Sequence, residues 1–106
     1  MTVDRDSITE EDTLDQQDKE NHLCRLGDEA ELLLQTSAFN STVNQLVEMS
    51  YQGFVNSKPN DYEEREQFYH HYRALVDIVS TLREQVSVKD KIITKNAERN
   101  NSKEVE

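Results

Sequence analysis

Residues that punctuate a chain are nearly missing here: one proline and two glycines occur in 106 residues. An all-β fold needs frequent tight turns, so this scarcity points to long helices instead. Cysteine occurs once, at Cys24, which excludes an intramolecular disulfide and a thiolate metal cluster. No apolar run approaches a membrane span and no apolar leader stands at the start, so the expectation is a soluble protein of a reducing, cytoplasmic compartment. Basic residues are also in the minority, 12 Lys and Arg against 22 acids, and a protein coating itself with nucleic acid carries the opposite balance.

The charge of -10 is unevenly spread. Residues 1–21 hold eight acids against Arg5 and Lys19, a contribution of -6. Residues 22–95 hold eleven acids and eight bases, and residues 96–106 three and two. With isolated Ile8 and Leu14 as its only large apolar groups past Val3, the first segment reads as a disordered acidic arm. The polar segment 96–106 reads as a disordered tail. A single helical domain over 22–95 remains, and its roughly 70 residues lie near the lower limit for independent stability. Mean hydropathy is low, at -0.91, which makes placement of the few apolar residues decisive.

Those residues are ordered. Phe68, Tyr72, Leu75, Val79, Leu82 and Val86 recur at steps of four and three, and the ladder resumes at Ile93 after Lys89. That is the seam of a helix that other helices must cover. Val76, Ile78, Val88 and Ile92 widen the apolar face beyond the seam. The spacing predicts a helix over about 61–95, roughly 50 Å long. A second helix is expected over about 38–56 on the stripe Phe39, Val43, Leu46, Val47, Ser50 and Phe54, with Gly53 inside it. A shorter one is expected over about 22–35, interrupted by Gly27, with Thr36-Ser37 offering a new N-cap.

Ser57-Lys58-Pro59-Asn60 is the clearest stop. Pro59 lacks an N–H and pushes Lys58 out of the α region. Asn60 with Glu63 has the form of a capping box for the long helix. So short a link implies antiparallel neighbours, an all-α helical hairpin with an added N-terminal helix. One neighbour leaves much of the long helix uncovered, so a homo-oligomer is expected, with Phe68, Tyr72, Leu75, Val76, Ile78, Val79, Leu82, Val86 and Ile92 as its interface.

Chemistry is sparse. Six of the seven aromatic residues cluster between Tyr51 and Tyr72, but Glu63, Glu64 and Glu66 surround them, which suits a packed corner better than base stacking. His70 and His71 are adjacent, so a helix points them about 100° apart. Glu66 and His70 make a single two-ligand pair, which is too few for a metal. Neither a phosphate-cradling loop nor a nucleophile elbow is present. The reading is therefore a non-enzymatic interaction protein with no cofactor, metal or small-molecule ligand. Lys89, Lys91 and Lys95 near the end of the long helix are candidate phosphate contacts, although the overall charge argues against nucleic acid.

The runs AELLLQTSAFNSTVNQL, NSKPNDYEEREQFYHHYRAL and DIVSTLREQV occur in that order between Gly27 and Ile93. In them the chain resembles a loose group of small, uncharacterised helical proteins of tailed bacteriophages, encoded near virion and packaging genes. The resemblance spans about two-thirds of the chain and carries no catalytic motif. It implies an accessory factor of virion assembly or DNA packaging, located in the host cytoplasm or with the virion. Two other functions fit the sequence less well. One is a DNA-packaging subunit resembling small terminases that touches DNA through its basic helix end. The other is an acidic inhibitor or DNA mimic acting on a host protein.

Overall fold

The computed structural model describes the backbone of residues 5–105 and the side chains of residues 14–101. Within these the fold is all-α, with three helices: α1 (Arg5–Leu34), α2 (Ser37–Asn56) and α3 (Tyr62–Val105). No strand occurs among the described residues. The chain divides into two units. One contains the residues up to Glu29 with those from Gln85 onward, and the other is the continuous stretch Ala30–Glu84. The long helix α3 contributes to both.

α1 and α2 are separate helices. The last turn of α1 tightens as Gln35 N–H reaches both Glu31 O (3.1 Å) and Leu32 O (3.2 Å), and Thr36 N–H reaches Leu33 O (3.0 Å). Thr36 then stands at the N-cap of α2 in an extended conformation (φ -76°, ψ 121°), but its hydroxyl makes no cap bond. It donates backward to Leu32 O at 2.9 Å, while the Asn40 side-chain amide donates to Leu34 O at 2.7 Å. The corner is thus held by side chains closing the end of α1 rather than by a cap opening α2.

The second link follows proline chemistry. Ser57 closes α2, with its N–H and hydroxyl both donating to Phe54 O (3.3 and 2.6 Å). Lys58 to Asp61 form a turn with Pro59 at its second position and Asp61 N–H bonded to Lys58 O at 3.0 Å. The cap of α3 differs from the expected Asn60–Glu63 pair by one residue. Asp61 Oδ1 accepts from Glu64 N–H at 3.1 Å, and Asp61 O accepts from Arg65 N–H at 3.2 Å. The turn consumes Asn60, so the next short acceptor takes the capping role. Glu64 therefore lies beside the cap carboxylate, and its own carboxyl is raised above the usual range, first by a side-chain hydrogen bond with Asp61.

Two expectations about the chain ends differ from the structure. Residues 5–21, expected in a disordered arm, form the first turns of α1, and the expected tail is helical through Val105. Residues 1–4 and Glu106 lie outside the described residues. The physical reason is twofold: Glu, Gln and Lys are good helix formers, and the residues up to Glu29 group with those of α3 from Gln85 onward. Lys95 Nζ approaches Glu20 Oε1 at 4.0 Å, and Lys89 bonds Asp28. Gly27 likewise does not interrupt α1; it is buried inside it.

Candidate interaction surfaces

The hydrophobic core is almost empty. Among the described residues Ala30, at 2% exposure, is the sole buried apolar side chain, and no large side chain is fully enclosed. Of the expected interface residues, Phe68, Leu75, Val76, Val79, Leu82, Val86 and Ile92 are half-buried. Tyr72 and Ile78 are exposed, at 41% and 49%. Ile93, where the ladder resumes, is 53% exposed, and its neighbour Ile92 takes the half-buried place. Among the described residues, eleven of the fourteen exposed large apolar side chains fall within Ala30–Glu84.

Inside Ala30–Glu84 a small-residue contact seats an aromatic ring. The Phe68 ring fills the space where a Cβ on Gly53 would stand. One turn closer to the link, the Arg65 guanidinium lies 4.8 Å from the Phe54 ring centroid and also donates to Pro59 O at 3.4 Å. This cation–π contact is worth about 0.5–1 kcal/mol at an exposed site. Ser50, on the same stripe of α2, is buried. The Tyr51–Tyr72 aromatic cluster expected from the sequence is thus a helix-contact corner whose tyrosines remain largely in water.

In the other unit the close contact is polar. A Cβ on Gly27 would lie 2.5 Å from Lys89 Cβ and 2.8 Å from Gln85 O, so the helices approach where only glycine fits. Lys89 is 7% exposed, and its ammonium reaches Asp28 Oδ1 at 3.1 Å. This corrects the expectation for Lys89 as a phosphate contact: it is packed between helices and engaged with a carboxylate. Lys95, with Glu20 nearby, is half-engaged, and Lys91 is exposed. Sequence reasoning missed Gly27 and Asp28 as partners. The signal was present all the same, because Lys89 falls on a seam position of the ladder, where a lone polar residue fixes register.

Two further ion pairs lie on the surface of α3. His70 and Glu66 lie 3.6 Å apart and Arg73 and Asp77 3.5 Å apart, each one helical turn away on a wet face. Among the described residues no group of three or more His, Cys, Asp and Glu is placed to hold a metal ion. No helix among them is long and apolar enough to cross a membrane. Comparison with known protein families, with curated proteins and with solved structures finds no match to this chain.

Proposed function

We propose that this chain is a non-enzymatic assembly factor that works through protein–protein contacts, first of all with copies of itself. The observation that carries the reading is the near-empty core set against the exposed apolar faces of α2 and α3. Burying one Leu, Ile or Val contributes about 1.5–3 kcal/mol, and a small domain's whole stability is about 5–15 kcal/mol. Several such side chains in water represent stability that only a neighbouring surface recovers.

Within Ala30–Glu84 the arrangement we propose is an antiparallel hairpin of α2 and the first half of α3. The contacts of Phe54 with Arg65 and of Gly53 with Phe68 support it, since one number falls as the other rises away from the link. The uncovered side of this hairpin, with Tyr72 and Ile78 on α3, is the face offered to the next copy. In this reading the protein serves a tailed bacteriophage as an accessory of virion assembly or DNA packaging, as the resemblance over residues 27–93 implies.

Light scattering tests the oligomer directly. The wild-type mass in solution is expected to be at least twice 12.4 kDa. Ile78→Glu should reduce it to the single-chain mass while the helical circular dichroism persists. A wild-type protein that stays monomeric and fully helical at micromolar concentration and above removes the proposal.

A further inference from the structure

We propose that the unit pairing the N-terminal part of α1 with the C-terminal part of α3 docks an amphipathic helix of another protein, one whose apolar stripe is flanked by acidic side chains. The site is an open groove of about 410 Å³ between the two helices. Its floor is apolar: Leu23 from α1, 38% exposed, with half-buried Val88 and Ile92 from α3. Val88 and Ile92 are four residues apart, so they stand one above the other on a single side of α3. A pocket for a small ligand encloses most of its occupant. This groove is open to solvent and follows the helix axes, which suits a rod laid along it.

The rim selects the charge of that rod. Lys19, Lys91 and Lys95 border the groove, and the one acid among its lining residues, Glu20, already faces Lys95 at 4.0 Å. In a chain of net charge -10, this rim is locally positive by two. Acidic side chains flanking an incoming apolar stripe would meet Lys19 and Lys91 directly. A second copy presenting the same groove is disfavoured, because lysines would oppose lysines. The acidic start of a second copy is also a poor occupant: Ile8 and Leu14 are six residues apart, which is not the spacing of a helical stripe. A nucleic-acid backbone would leave the apolar floor unused. The proposal is independent of self-association, which draws on the faces of the other unit.

Two fluorescent peptides of about three heptads test it against the full-length protein. Both carry Leu at the a and d positions; one has Glu and the other Lys at e and g. Anisotropy should show the Glu peptide binding about tenfold more tightly, the scale expected when a few exposed charge pairs change sign. Lys19→Glu/Lys91→Glu/Lys95→Glu should reverse that preference. Lys91→Glu alone, at an exposed position, should reduce it with helicity unchanged, so the test survives if the triple variant misfolds. Methyl resonances of Leu23, Val88 and Ile92 should move on adding the Glu peptide. Equal affinity, no binding, or shifts confined to other residues would refute the assignment. So would displacement of the peptide by duplex DNA, or a fall in the wild-type mass caused by Lys91→Glu, which would reveal a second copy in the groove.

Discussion

An ammonium group held against another helix loses hydration that must be replaced by partners of its own. Lys89 keeps its place because Asp28 stands 3.1 Å away and Gly27 leaves room for its methylene stem. Asp28 is itself 67% exposed, so the pair is only half removed from water and its worth is modest. Its use is register: shifting α1 along α3 by one turn would take the carboxylate and the glycine away together. Three expectations follow. Gly27→Ala gains about 1 kcal/mol of helix propensity but meets Gln85 O, a backbone atom, and should lose about 1–3 kcal/mol to overpacking. Gly53→Ala meets the Phe68 ring, a side chain able to swing, so thermal melts should rank it as the milder change. Lys89→Met should leave the melting temperature level or raised, because Asp28 is 67% exposed and is left hydrated rather than buried without a partner, whereas Lys89→Glu should lower it sharply. A further residue bears on pH. The raised Glu64 carboxyl means that the native state holds this proton more tightly than the unfolded chain does. Its stabilising contribution is therefore complete below the ordinary Glu range and fades as pH rises through the raised value. Denaturant melts should show wild type gaining on Glu64→Gln as pH falls from 7 toward 4.

At the level of elements, helix boundaries were legible wherever a covalent constraint set them. Pro59 fixes the link between α2 and α3 whatever surrounds it. Moving the cap from Asn60 to Asp61 was beyond the sequence, because either residue can cap and the turn geometry decides. The start of α1 was illegible for a different reason. Residues 5–21 carry no apolar period, and their one described ion pair, Glu20 with Lys95, reaches the far end of α3. Periodicity cannot register pairing of that kind. The groove escaped notice similarly, since its two walls are 65 or more residues apart in sequence. Leu75→Asp and Leu82→Asp each put a charge into a half-buried seam position of α3. Each is expected to abolish self-association and most helicity together, in contrast to the exposed Ile78→Glu, and circular dichroism beside light scattering separates the two outcomes.

For the molecule as a whole, the notable fact is that one helix serves two units. Ala30–Glu84 is continuous in sequence, while the other unit joins the two ends of the chain through contacts such as Lys89 with Asp28, 61 residues apart. Contacts between near neighbours close cheaply, and those spanning long loops carry a larger entropic cost. Cutting the chain after Glu84 should therefore cost α1 its helicity up to Glu29 and spare most of the helicity of 30–84, which hydrogen exchange can map residue by residue. The same geometry has a consequence during translation. Asp28 leaves the ribosome first and must wait for Lys89, which at 5–20 residues per second is about 3–12 s. Throughout that interval the nascent N-terminal segment has no mate of its own chain, and a neighbouring polysome's product or a chaperone has first access to it.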